Sequence, residues 1–78
     1  MPGFELEGFR FAINTRAERG HFPHVHVIKD RTKCKIRLST ALEVYDVVKM
    51  RRADMTRARE LVAKNYGRLM RLWNQYNG

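Results

Sequence analysis

Apolar and polar residues alternate with a period of two through much of the first 48 positions, then recur at helical spacing to the end of the chain. Phe9, Phe11 and Ile13 alternate with Arg10, Ala12 and Asn14, as in a strand with one face in a core. Phe4 and Leu6 alternate with the opposite parity, so Gly8 marks a turn or bulge within a strand region spanning 4–14. Residues 15–23, with Gly20 and Pro23, form a loop. Residues 24–29 and 33–38 follow as a hairpin turning through Asp30-Arg31-Thr32. Its second arm sends Cys34, Ile36 and Leu38 one way and Lys33, Lys35 and Arg37 the other. Residues 42–48 are rich in β-formers and give a fourth strand. Its inward face stays open, because Leu42/Val44 and Tyr45/Val47 both offer apolar pairs.

A helix over 54–76 accounts for the remainder. Met55, Ala58, Val62, Tyr66, Leu69, Trp73 and Tyr76 form one apolar stripe at steps of three and four. Asp54 or Thr56 can cap its start, and Asn77-Gly78 ends it. Gly67 costs about 1 kcal/mol relative to alanine in a helix, so two helices broken near Asn65–Gly67 are the alternative. The aromatic residues of the stripe are expected in the core rather than as a platform for nucleobases. These elements predict one α+β domain over residues 1–78: a small, mainly antiparallel sheet of 3–4 strands on a long C-terminal helix.

Composition sharpens the picture. The single cysteine, Cys34, makes an internal disulfide impossible and gives a reducing cytoplasm as the simplest compartment. No apolar run approaches the ~20 residues of a membrane span, and Glu5, Glu7 and Arg10 break the pattern of a secretory signal. The net charge is +8, and residues from Lys49 onward carry +6 of it. Such a field favours an anionic partner: RNA, DNA or an acidic protein. Arg57, Lys64, Arg68 and Arg71 share the helix face away from the apolar stripe and are candidates to grip phosphates or an acidic partner; the alternative is a solvated face.

All three histidines, His21, His24 and His26, fall within six residues. If Val25 and Val27 share the core face with Cys34, Ile36 and Leu38, then His24 and His26 share the other face with Lys35 and Arg37. That set suits metal-free cleavage of RNA. One imidazole takes the 2′-hydroxyl proton, the other protonates the leaving oxygen, and the cations stabilise the charged transition state. Nearby positive charge lowers the histidine pKa values. A metal site built from His21, His24 and His26 is the weaker chemical reading, because no fourth ligand is evident. A structural role, with the imidazoles bonded to backbone, is the third. Cys34 reads as core.

The run Phe22-Pro23-His24-Val25-His26-Val27 resembles the Pro-Pro-His-x-His-Val signature of a small bacterial family, domain of unknown function (DUF) 4160. Leu69-Met70-Arg71-Leu72-Trp73-Asn74 resembles its closing Leu-Leu-x-x-Trp-Asn pattern. The family motif maps to Pro23, His24 and His26, with Phe22 where the first proline is usual. Members are often predicted to be toxins of type II toxin–antitoxin pairs, encoded beside a DUF 2442-type antitoxin. The resemblance therefore implies a cytoplasmic toxin-like protein whose basic surface is covered by an acidic cognate antitoxin. With the charge, it points to RNA as the target and to a ribonuclease needing no cofactor, with His24, His26, Lys35 and Arg37 as its catalytic set. The alternative is a non-catalytic basic module that binds nucleic acid or an acidic protein.

Overall fold

The computed structural model describes residues 1–15 and 22–77. Five strands, β1 (Gly3–Leu6), β2 (Phe9–Ala12), β3 (His24–Lys29), β4 (Thr32–Arg37) and β5 (Val44–Val48), precede two helices, α1 (Arg52–Lys64) and α2 (Tyr66–Asn77). The strands pair in chain order as an antiparallel meander. The architecture is thus α+β, as the periodicities predict, with one strand and one helix more than expected.

The extra strand comes from splitting region 4–14. Glu7 and Gly8 both have positive φ, 53° and 82°, the condition for a two-residue type I′ hairpin turn. Leu6 therefore pairs with Phe9 and Phe4 with Phe11, which explains the change of parity in the sequence. Gly3 faces Ala12 so closely that a Cβ on it would overlap the Phe11 carbonyl oxygen.

The β3–β4 register is the one that the alternation implies. Val25 pairs with Ile36 and Val27 with Cys34, and all four are buried. Phe9, Phe11, Ile13 and Leu38 extend this face into a core closed by Met50, Ala58, Leu61, Val62, Leu69 and Trp73. Each fully buried aliphatic residue there contributes about 1.5–3 kcal/mol. The fourth predicted strand resolves in favour of Val44, which pairs with Ile36 and packs on the core. Tyr45 pairs with Lys35 on the opposite face, and Asp46, at φ 49°, kinks the strand and leaves Val47 and Val48 exposed.

The single long helix gives way to the alternative of two, broken at Asn65. Asn65 lies at φ −110°, ψ 19°, and its side-chain amide donates to the Leu61 carbonyl at 2.8 Å, competing for a group at the end of α1. Its own carbonyl then accepts from Leu69 N–H at 2.9 Å as α2 begins. The first helix starts at Arg52, and neither Asp54 nor Thr56 caps it: Arg51 occupies the cap position without a side-chain bond. Asp54 lies in the first turn instead, where a carboxylate complements the helix dipole, and Lys29 holds it at 3.0 Å. The aromatic stripe is core at Trp73, whereas Tyr66 and Tyr76 remain exposed. No helix among the described residues is long and apolar enough to cross a membrane.

Candidate functional site

β3 and β4 bring the predicted quartet onto one sheet face as two cross-strand rows, His24 opposite Arg37 and His26 opposite Lys35. The imidazoles meet edge to face, with ring centroids 5.2 Å apart. His24, the first residue of β3, is buried between Phe22 and Trp73, its ring 5.3 Å from the indole. Its Nδ1 lies 3.1 Å from the Phe22 carbonyl oxygen, which can only accept. Nδ1 therefore carries the hydrogen of the neutral ring, which makes Nε2 its acceptor nitrogen.

His26 is placed differently. Its Nε2 is buried and has no hydrogen-bond partner among the described residues. Burial, followed by the charges of His24, Lys35 and Lys33, lowers its pKa from 6.5, so the ring is predominantly neutral at physiological pH. An unpartnered buried imidazole nitrogen costs stability unless water or a ligand satisfies it.

The two cations are braced by acids on β5 and the segment before it. Lys35 Nζ is 3.1 Å from Asp46, and Arg37 is 3.4 Å from Glu43. Arg37 also lies over the Phe22 ring, 3.7 Å from its centroid, and its buried Nε has no partner among the described residues. A depression of about 340 Å³ is lined by Asn14, Phe22, His24, His26, Lys35, Tyr45 and Asp46. A second, of about 650 Å³, shares His26, Lys35 and Asp46 with it and runs towards Ile28, Lys33, Val47 and Val48. The histidine–lysine row thus separates two halves of one groove.

Sequence reasoning missed Phe22, Tyr45 and Asp46 as lining residues. Phe22 and Tyr45 sit edge to face, 6.0 Å apart, beside the histidines. Burial raises the Tyr45 pKa above 10.0, so its phenol stays protonated and able to donate. The one available signal was the parity of the fourth strand, which places Tyr45 beside Lys35 once Val44 is known to face inward. His21 lies outside the described residues. Cys34 is core, its thiol pushed up to about 11 by burial.

The helical cations are not brought to the histidines. Arg57 makes a two-pronged ion pair with Glu7 of the β1–β2 turn, at 2.9 and 2.6 Å, and reaches Glu60 at 3.3 Å. Arg68 lies 3.9 Å over the Phe4 ring of β1. These two fasten the first hairpin to the helices. Lys64 and Arg71 are exposed, on either side of the break at Asn65.

No curated protein and no solved structure matches the chain. One family model does, over residues 8–74, a span that takes in the histidine pair, its flanking cations and nearly all of both helices. The chain belongs to DUF4160, a domain of unknown function.

Proposed function

We propose that this protein acts on RNA, as the toxin-like member of a toxin–antitoxin pair, through acid–base chemistry at His24 and His26. The observation that carries the reading is the pair of touching imidazoles, 5.2 Å apart, lining one depression with Lys35. Within it, neutral His26 takes the 2′-hydroxyl proton, and the 2′-oxygen bonds to phosphorus as the bond to the 5′-oxygen breaks. His24, protonated on Nε2, returns a proton to that leaving oxygen. Lys35 and Arg37 offset the charge gathering on the phosphoryl oxygens, their positions held by Asp46 and Glu43. An acidic cognate antitoxin in the cytoplasm would silence the site by covering this basic face, in keeping with the role often predicted for the family.

The deciding comparison is cleavage of total cellular RNA by wild type and by His24→Gln/His26→Asn, each with and without EDTA. Circular dichroism checks the fold. Cleavage that resists EDTA and disappears in the folded double variant supports the histidine pair; intact RNA with wild type removes the nuclease reading.

A second reading, a non-catalytic module for nucleic acid or an acidic protein, draws on the burial of His24. A histidine 7 % exposed and bonded to a backbone carbonyl also fits a purely structural role. Salt-sensitive binding without turnover would favour it.

A further inference from the structure

The net charge of +8 is distributed less evenly than the sequence suggests, because the acids neutralise particular cations. Lys29, Lys35, Arg37 and Arg57 are ion-paired. Arg59 is bonded to the Ala41 and Leu42 carbonyls, Arg10 to the Met1 carbonyl, and Arg68 covers Phe4. Of the basic residues left without such a partner among the described residues, Arg31, Lys33, Lys49, Arg51 and Arg52 lie together. Lys33 and Lys49 are bridge partners; Arg31 is at the β3–β4 turn, and Arg51 and Arg52 open α1. The Lys29–Asp54 ion pair pins that turn to the first turn of α1, so the five belong to one corner of the molecule. All five are exposed, and among the described residues Asp30 is the one acid of the corner with no cation paired to it.

We infer that this corner is a binding site for the phosphodiester backbone of nucleic acid, separate from the histidine pair. Three observations favour a phosphate chain. The cations are mutually unshielded, so each contact releases condensed counterions when a polyanion docks. Lys33 continues along β4 to Lys35, the next residue on the same face at a strand spacing of about 7 Å, and both line the larger half of the groove beside His26. An anionic chain anchored at the corner therefore has a basic path to the histidines. Lastly, Arg51 and Arg52 put positive charge at the positive end of a helix, an arrangement that costs folding stability and is offset once phosphates bind. The inference rests on the nucleic-acid half of the proposed function and is independent of cleavage.

The test uses a fluorescein-labelled single-stranded DNA oligonucleotide of mixed sequence, which lacks the 2′-hydroxyl and so cannot be cut by the chemistry above. Its affinity is followed by anisotropy at about 50–200 mM salt, the range over which phosphate contacts weaken steeply. Wild type is compared with Lys33→Gln/Lys49→Gln/Arg51→Gln/Arg52→Gln and with Lys64→Gln/Arg71→Gln, which removes exposed cations elsewhere that have no ion-pair contact among the described residues. The corner variant should flatten the log–log salt slope by about 2–3 and weaken binding at least tenfold at the lower salt. The helical variant should change the slope by less than about 1. Thermal midpoints should be unchanged or higher in the corner variant, which keeps misfolding out of the comparison. Equal losses in both variants, or a wild-type slope in the corner variant, would overturn the inference. So would binding to a polyglutamate peptide but not to DNA, which would mark the corner as a protein-docking surface. Failure of RNA cleavage alone leaves this result standing.

Discussion

Replacing Gly3 with alanine tests the description of the first hairpin more sharply than any core truncation. A Cβ at that position would overlap the Phe11 carbonyl oxygen and stand 2.9 Å from Ala12 Cα, both of them backbone atoms that no rotamer change can move. Relief requires β1 to retreat by about 1 Å or more, since ordinary carbon contacts begin near 3.5 Å. That movement breaks the bond from Ile13 N–H to the Pro2 carbonyl, 2.8 Å long, and weakens the hydrogen-bonded Phe4–Phe11 rung on the other side of Gly3. Two backbone hydrogen bonds at about 1 kcal/mol each, with about 1–2 kcal/mol of strain, give a loss of about 3–4 kcal/mol. A chain of this size has about 4–12 kcal/mol in total, so the effect is large. Gly8→Ala is the control, because nothing lies within 4 Å of its would-be Cβ. Its cost, about 1–2 kcal/mol, comes from φ 82° alone. Urea unfolding followed by circular dichroism gives both values, and amide exchange at Ile13 reports whether β1 has peeled away. A Gly3→Ala loss below that of Gly8→Ala, with Ile13 still protected, would refute the close approach.

Three further outcomes follow from the site and the helices. The folded-state pKa of His26 lies below 6.5, so the unfolded chain takes up its proton first; stability is full above pH 6.5 and declines as pH falls towards the folded value. His26→Asn should flatten that part of the pH–stability profile, and an unaltered slope would count against a desolvated His26. Trp73 is the single tryptophan and its ring lies 5.3 Å from that of His24, so removing the imidazole in His24→Gln should change indole emission at constant pH. His26→Asn should leave that emission close to wild type; an unchanged spectrum in folded His24→Gln would count against the ring contact. Gly67→Ala should stabilise the protein by about 1 kcal/mol, because Arg71 Nη1 at 3.5 Å is its one close neighbour and the position is helical. A measured loss would mean that the α2 backbone is constrained at Gly67.

Where the sequence carried a strict period, its reading survives in detail. Alternation through Val25, Val27, Cys34, Ile36 and Leu38 specifies a register that buries all five, and the same parity sends His24, His26, Lys35 and Arg37 to the other side. The structure departs from that reading, or decides between its alternatives, where a short-range event resets the period. The type I′ turn at Glu7-Gly8 makes two strands of one region, and the kink at Asp46 ends the alternation that began at Val44. Asn65 ends α1 by bonding back to Leu61, although the apolar spacing runs through the break undisturbed. Periodicity reports which face is buried, and it is insensitive to a turn that leaves the face in phase. Tyr45 was illegible for the same reason: its side depends on Val44 facing the core, and both parities of that strand offered apolar pairs.

Charge behaves differently from hydrophobic pattern, because a local run of cations says little about the field that it makes. Arg57, Lys64, Arg68 and Arg71 form one basic stripe along the helices, yet the acid that holds Arg57 most closely is Glu7, 50 positions earlier in the chain, with Glu60 of the same helix behind it. Arg68 is removed from the solvated stripe by Phe4, also from the first hairpin. A pairing across such a distance is invisible until the fold is known, whereas the sum of charges is fixed by composition. It follows that net charge predicts the sign of a partner but not where the partner touches. Eight acids cannot neutralise sixteen bases, and the excess gathers wherever the fold brings too few of the acids. Among the described residues that place is the corner made by Arg31, Lys33, Lys49, Arg51 and Arg52, assembled from the β3–β4 turn and the start of α1 and continuous through Lys35 with the histidine groove. On the reading proposed above, a nucleic acid drawn in by the whole field would meet the histidines by way of that corner, not by way of the helix face.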